Sequence, residues 1–378
     1  MDIRRRLISS SVEVNENWPN YFTIEALEDG LQVSLSDNSI EYCIDKNGTW
    51  TMLSAGSNTP QINAGSIIQF RGDYSTMTIG GENADGYQKG MGTFSMTKNC
   101  NLSGNIMSLA YKEGFEEELT IPVNNMFAIL FLDNLKIINV DEDLLPATTL
   151  KSYTYYNTFA GCKNLLNAPK LPCINLSNLE SVYCGMFFDC SSLTVAPELP
   201  ATTLGPTCYA GMFGASGLIA MPELPATTLT TYCYQAMFSQ CTSLTTVTDL
   251  PATTLNTYCY YAMFNGCTSL TTVQETLPAT TLQNYCYQQM YYGCTSITTA
   301  PVLPSTWLKT RCYHEMFYGC SKLNYIKCMS TTRLSSSYSS NWVYGVASSG
   351  TFVRNSRRTH TTGTSGIPSG WTQQTATS

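Results

Sequence analysis

The sequence predicts an α/β solenoid, with one strand and one short helix in each repeat, behind a small all-β sandwich. The first observation is a recurring block, seen most clearly as LPATTLNTYCYYAMFNGCTSLTTV from Leu250 to Val273. The second is its fixed period of 25 to 28 residues, because a constant step in this range is typical of a solenoid. The third is a non-repeating front region, residues 1–110, rich in short alternating runs. The Leu-Pro pair that opens each copy begins at Leu145, Leu171, Leu199, Leu224, Leu250, Leu277 and Leu303.

The front of the chain, residues 1–110, carries several apolar-alternating runs with turn residues between them. Strands at such short spacing predict a small β-sandwich. The runs are Tyr21–Ala26, Leu31–Leu35, Ile40–Ile44, Trp50–Leu53 and Ile67–Arg71.

Residues 111–328 form the predicted solenoid, with residues 111–145 as a degenerate first repeat. In one copy Leu229, Cys233, Met237 and Cys241 recur at every fourth position, which we interpret as one face of a helix of about three turns. The LTTV segment that follows is short and Thr/Val-rich, as expected for one strand per repeat. Strands stack ~4.8 Å apart whereas packed helices need ~8–10 Å, so the array should curve with its strands on the concave face.

Residues 329–378 predict a C-terminal cap and tail. The repeat fades after Leu323, and Trp342, Phe352 and Trp371 could cover the open core of the last repeat. The final polar residues should be loose.

Eleven of the sixteen cysteines occupy two repeat positions, which favours buried free thiols over a disulfide framework. On a helix the two positions would lie ~12 Å apart, too far for a bridge. There is no CxxC motif and only two histidines, His314 and His360, so we expect no metal and no cofactor. Free thiols indicate folding in a reducing compartment. The two series are Cys208, Cys233, Cys259, Cys286, Cys312 and Cys162, Cys190, Cys241, Cys267, Cys294, Cys320.

A tyrosine recurs at one position of every clear copy. It could form an aromatic platform for sugars, or a stacked core in which each hydroxyl reaches a backbone group. Its constancy favours the core, because binding positions usually vary between repeats. The series is Tyr155, Tyr183, Tyr209, Tyr234, Tyr260, Tyr287 and Tyr313.

Positions that do vary between repeats are the better candidates for a binding site. Tyr232, Tyr258 and Tyr285 lie two residues before the constant tyrosine and could form a partly exposed aromatic stripe. Tyr261 and Gln288, one residue after it, would extend the same surface to a glycan or protein ligand. The alternative is a polar surface that binds nothing.

Catalysis is not expected. The acidic runs Glu116–Glu118 and Asp141–Asp143 lack any sign of a cleft, so we interpret them as solvated charge rather than a glycosidase pair. No nucleophile elbow or phosphate loop is present. The net charge of −7 makes nucleic acid an improbable partner, and no apolar run is long enough to span a membrane.

The N-terminus reads MDIRRRLISSSVEV and lacks the apolar stretch of a secretory signal. Arg4, Arg5 and Arg6 could anchor the chain on an acidic partner in an assembly. The alternative is a solvated charged end.

Several motifs resemble the BspA-like leucine-rich repeat proteins of gut and oral bacteria and their phages. They are Met263–Thr272 (MFNGCTSLTT), the LPATTL turn, the closing GTFVRN…GIPSGWT, and Gly92–Leu109 in the front region. The resemblance covers roughly residues 140–372 and implies surface display and attachment rather than catalysis. The RRRL start without an export signal is similar to phage-encoded members.

Together these observations predict a non-enzymatic phage virion protein, such as a head fibre, decoration or tail-associated attachment protein. It would fold in the host cytosol, be released by lysis, and contact other virion proteins through residues 1–110. A host glycan or protein ligand and a homo-oligomer are both compatible with it. The alternative is a bacterial cell-surface adhesin of the same family.

Overall fold

The computed structural model describes residues 19–82 and 86–376. It contains eleven strands, two short 3-10 helices at Tyr74–Thr76 and Ile106–Leu109, and one single-turn helix, α1, at Ser336–Ser339. The strands are β1 Phe22–Ala26, β2 Val33–Leu35, β3 Ile40–Ile44, β4 Thr51–Leu53, β5 Ile67–Arg71, β6 Phe94–Met96, β7 Cys100–Ser103, β8 Ile137–Val140, β9 Tyr325–Cys328, β10 Thr351–Arg354 and β11 Thr372–Thr375.

The front region is built on a six-stranded sheet of order β4-β3-β5-β1-β7-β8. All five runs predicted from the sequence are strands, β1 to β5, within two residues of their expected starts. The second sheet consists only of β2 and β6, so a sandwich of two comparable sheets is not shown. β8 pairs in parallel with β7 although it lies beyond residue 110, which joins the front sheet to the first repeat.

The predicted helix in each repeat is wrong. Residues 232–241 show what replaces it: Tyr232, Ala236 and Gln240 all have positive φ, at 58°, 49° and 62°. An α-helix has negative φ throughout. Overlapping turns form instead, closed by bonds from Gln235 N to Tyr232 O at 3.1 Å and from Ser239 N to Ala236 O at 3.0 Å. We call this segment and its equivalents in the other repeats the turn ladder.

Alternate backbone N–H groups of the turn ladder point to the next repeat instead of closing turns. Tyr234 N donates to Cys259 O at 3.1 Å, and Phe238 N donates to Met263 O at 3.0 Å. Turn bonds and inter-repeat bonds together occupy every backbone donor of residues 232–241 except that of Cys233, so no helix is needed to satisfy them. Successive coils therefore stack like strands, with the rings of Phe238 and Phe264 5.8 Å apart. Curvature was expected because packed helices would need ~8–10 Å between their axes. The repeats contain no such helices, so that reason for curvature does not apply.

Side chains of the turn ladder alternate in pairs between inside and outside. Cys233 and Tyr234 are buried, Gln235 and Ala236 face outward, and the pair Met237–Phe238 is buried again. This four-residue pattern gives each coil one wall of the core and one outward face.

The other sides of each coil are held by parallel bridges of single residues, such as Thr228 with Thr254 and Thr246 with Thr272. The Thr246 bridge lies in the LTTV segment where a strand was expected, but it spans one residue. After β8, the next regular strands of the described chain are at the C-terminal end, where β9, β10 and β11 form a parallel three-stranded sheet.

One continuous hydrophobic core runs from Tyr21 in the front sheet to Trp371 near the end. Trp342 closes the aromatic core: it is fully buried, stacks on Tyr313 at 6.0 Å, and donates from Nε1 to Gly366 O at 2.7 Å. Trp371 donates in the same way to Ala347 O at 2.8 Å. Both indole N–H groups are thus satisfied as they cover the last repeat.

Candidate functional site

The outward face of the turn ladder carries the aromatic residues predicted as a site. Tyr232, Tyr258 and Tyr285 stack face to face, with ring centroids 4.8 Å and 4.5 Å apart and ring planes within 9° of each other. All three are half-buried and lie at positive-φ positions, with φ near 60°. We call them the first tyrosine ladder.

Stacking decides what the first tyrosine ladder can offer to a ligand. Because each ring covers its neighbour, ring edges and hydroxyls are what the row presents to solvent, and only the end rings, Tyr232 and Tyr285, have a face that no other tyrosine of the row covers. A sugar that needs an aromatic face could therefore stack at the ends alone. Desolvation, and then the neighbouring Tyr285 and Tyr232, raise the pKa of Tyr258. The Tyr258 hydroxyl is thus a neutral donor and acceptor at physiological pH.

Tyr261 and Gln288 lie in the adjacent outward column, as predicted. Tyr261 meets Tyr258 edge-on, with centroids 5.8 Å apart and planes at 87°. The Oε1 atom of Gln288 is buried without a hydrogen-bond partner. Arg311 follows Tyr285 in the ladder column and is exposed. The five predicted residues therefore share one surface.

A second tyrosine ladder, Tyr292–Tyr318–Tyr344, was not predicted. Its rings stack at 4.7 Å and 4.8 Å, with planes 1° and 18° apart, and Tyr344 is 50% exposed. Each residue directly precedes the glycine of YYGC, FYGC or VYGV. Tyrosine at the same outward position in three successive copies was the signal that could have revealed it.

A hollow of about 420 Å³ opens on the turn ladder of the earlier repeats, where the outward residues are small. Gly161, Gly185 and Gly211 contribute to its floor, and Phe188, 47% exposed, stands at its side. Asp189 also lines it and pairs with Lys163 at 2.9 Å. The turn ladder is thus concave and weakly acidic at one end and built of tyrosine at the other.

The constant tyrosines form a stacked core and not a platform. Tyr183 and Tyr209, for example, are each 1% exposed and stack at 5.6 Å with planes 7° apart. We expected their hydroxyls to form hydrogen bonds with backbone groups, and for most of them this prediction is wrong. Buried hydroxyls without a partner occur at Tyr155, Tyr183, Tyr209, Tyr234 and Tyr287.

All sixteen cysteines are free, and all but Cys184 are buried. In the column of Cys267 the thiol donates to the backbone of the preceding repeat, here Phe238 O at 3.1 Å. Burial raises the pKa of Cys259 and of Cys312 to about 12. These thiols are therefore poor nucleophiles and serve as small core residues.

The predicted acidic runs are largely exposed, and Lys170 pairs with Glu142 at 3.2 Å and Asp143 at 3.3 Å. Residues 19–82 and 86–376 hold no group of metal-ligating side chains. Nor do they contain a helix of the length and apolarity required to cross a membrane. Arg4, Arg5 and Arg6 lie outside the described residues.

A family model described as a BspA type leucine-rich repeat region matches six copies, over residues 152–298 and 237–342. These ranges cover most of the turn ladder, the first tyrosine ladder and two of the three residues of the second, and together they span half of the chain. The chain belongs to the BspA-type leucine-rich repeat family. This BspA-type protein is also similar to a leucine-rich repeat protein from Bacteroides ovatus of known crystal structure. The identity is 13% and the TM-score 0.30, over 80% of this chain and 90% of that one. No curated protein matches it.

Proposed function

We propose that this BspA-type protein is a non-enzymatic recognition module whose turn ladder binds a macromolecular partner. The observation that carries the proposal is the pair of outward tyrosine ladders. Six tyrosines in two rows on one rigid face expose aromatic surface to water, which costs free energy. Tyrosine is also enriched where protein surfaces bind partners.

The shape of the ladders favours a large partner over a small one. Ring edges and hydroxyls repeat every 4.5 to 4.8 Å along each row. A small ligand could use only an end ring, whereas a protein surface or a regular polymer can contact the whole row. The rigid backbone ladder beneath the rings lowers the entropy lost on binding.

A triple substitution tests the recognition surface. Tyr232→Ser, Tyr258→Ser and Tyr285→Ser together should abolish binding of the labelled protein to cells of a Bacteroides-type host, measured by flow cytometry. The matched control is Tyr42→Ser, Tyr74→Ser and Tyr111→Ser, which removes three half-buried tyrosines from the front region and its border with the first repeat. Equal binding by both variants, with both folded, would contradict the proposal.

At a finer level we propose that the protein is a virion component that attaches a phage to its host. The buried, unpaired cysteines support folding in a reducing cytosol, and the RRRL motif at residues 4–7 is similar to phage-encoded members of the family. Mass spectrometry of purified virions should then find the chain. Detection instead in the outer-membrane fraction of uninfected cells would favour the surface-adhesin alternative.

The proposed anchor at Arg4–Arg6 can be tested without deleting the front region. Deletion of residues 1–110 would remove five strands of the sheet that also contains β8, so it would damage the repeats as well. Arg4→Ala, Arg5→Ala and Arg6→Ala in the full chain should reduce incorporation into virions. Normal incorporation would assign the anchor to another part of the protein.

A further inference from the structure

A proline-walled groove lies on a different side of the solenoid from the turn ladder. It consists of two adjoining pockets of about 370 and 400 Å³, which share Pro197, Glu198 and Pro200. The outer walls are residues 168–172 of the preceding coil and Pro222, Glu223 and Pro225 of the following coil. We call this the proline groove.

Backbone bonding between coils is interrupted at the groove. In the C-terminal repeats the same side is a backbone ladder, with Val302 N donating to Glu275 O at 2.8 Å and Leu303 N to Lys327 O at 2.9 Å. Within the described chain, no backbone bond joins residues 196–200 to either neighbouring coil. The two prolines of residues 196–200 have no N–H to donate, and the other backbone N–H groups of that stretch have no backbone partner in the described chain. The groove therefore presents apolar rings and unpaired backbone groups beside exposed carboxylates.

One column of carboxylates runs along the groove and past its end. Glu198, Glu223 and Asp249 each directly precede the Leu-Pro pair of their repeat, and all three are exposed. None of them makes an ion pair or accepts a side-chain hydrogen bond from the residues that the structure describes. The lysine at the equivalent place in the preceding repeat, Lys170, is already paired with two acids.

Like charges stacked in register along a solenoid repel one another, so this column costs stability unless a partner neutralises it. A local cost without a structural gain is the usual mark of a functional surface. Apolar walls, unpaired carbonyls and unpaired carboxylates are complementary to side chains that combine an aliphatic stem with N–H donors. Arginine and lysine have this chemistry.

We propose that the proline groove binds an extended, basic segment of a partner protein. Consecutive coils lie 5.6 to 6.0 Å apart at the buried tyrosines of these repeats. Alternate residues of an extended chain are ~6.6 Å apart. A segment that lies along the array can therefore place successive basic side chains against successive acids, Glu198, Glu223 and Asp249.

The test uses the full chain and a short fluorescent peptide in which arginine alternates with serine. Fluorescence anisotropy should show saturable binding that weakens as salt is raised, because exposed charges are screened. Glu198→Gln with Glu223→Gln should weaken binding by roughly two- to thirtyfold, the range expected for two exposed ion pairs. The control Glu28→Gln with Glu117→Gln changes the net charge equally at exposed sites elsewhere and should leave binding unchanged.

Three results would overturn the proposal. Equal weakening by both double variants would indicate attraction to net charge and not to the groove. Equal binding by wild type and the groove variant would also exclude the site. Binding that appears only after Arg4, Arg5 and Arg6 are replaced by alanine would make the chain's own basic segment the occupant, in place of a partner. Denaturation midpoints of the groove variant should not fall, since neutralising the column relieves repulsion.

Discussion

Comparison of Phe264→Ala with Tyr258→Ala tests which face of the turn ladder is core and which is surface. Phe264 is fully buried and stacks on Phe238 at 5.8 Å and on Tyr291 at 5.5 Å. Truncation leaves a cavity in a column that cannot close, so we expect a loss of ~3–5 kcal/mol. Tyr258 is half-buried, and its loss removes two stacked contacts of the first tyrosine ladder. We expect ~1–2 kcal/mol for that change.

Urea denaturation followed by circular dichroism measures the difference. With a slope of at least ~3 kcal/mol/M for a chain of this size, Phe264→Ala should lower the midpoint by about 1 M and Tyr258→Ala by less than half as much. Tyr258→Phe is the control: it keeps the stack and should leave the midpoint nearly unchanged. Amide exchange should locate the Phe264→Ala damage in adjacent coils, since each coil contacts only its neighbours. Equal midpoint shifts for the two alanine variants would refute the assignment of faces.

Three further predictions concern the thiols, the cap and the glycines. Iodoacetamide should leave the buried cysteines of the native protein unmodified and label them all after denaturation; a disulfide-bonded pool would contradict this. Burial lowers the pKa of His360 to about 4, so stability should be complete above pH ~6.5 and fall as pH drops towards 4, by on the order of 1–3 kcal/mol. His360→Asn should flatten this acid-dependent loss, and an unchanged loss in that variant would contradict the assignment to His360. Gly161→Ala should destabilise more than Gly48→Ala: both glycines have positive φ, but only at Gly161 would a Cβ overlap the Asp133 carboxylate. Equal decreases in melting temperature for the two variants would mean that the positive φ alone, and not the overlap with Asp133, determines the loss of stability.

The sequence predicted the repeat, its period and its core positions because these depend only on which residues recur. Cys233, Met237 and Phe238 are buried where the pattern placed them, and the five front strands begin within two residues of their predicted starts. The helix was wrong because a four-residue period was interpreted as helical. On an α-helix each four-residue step drifts by about 40°, so three such steps leave the face. A strict period of four, with Gly161, Gly266 and their equivalents at positive φ, indicates successive turns.

The binding surface was also predictable from the sequence only in part. Variation between repeats identified Tyr232, Tyr258 and Tyr285 as a candidate surface. The expected helices would have placed these rings ~8–10 Å apart, so their stacking could not be predicted. Backbone bonds between coils bring the rings to 4.5 and 4.8 Å, which covers their faces and exposes their edges. The proline groove likewise depends on tertiary structure, since it forms where residues 196–200 share no backbone bond with the neighbouring coils. Sequence alone determined what each coil repeats; the distance between coils, set by hydrogen bonding across them, decided what the repeats present to a partner.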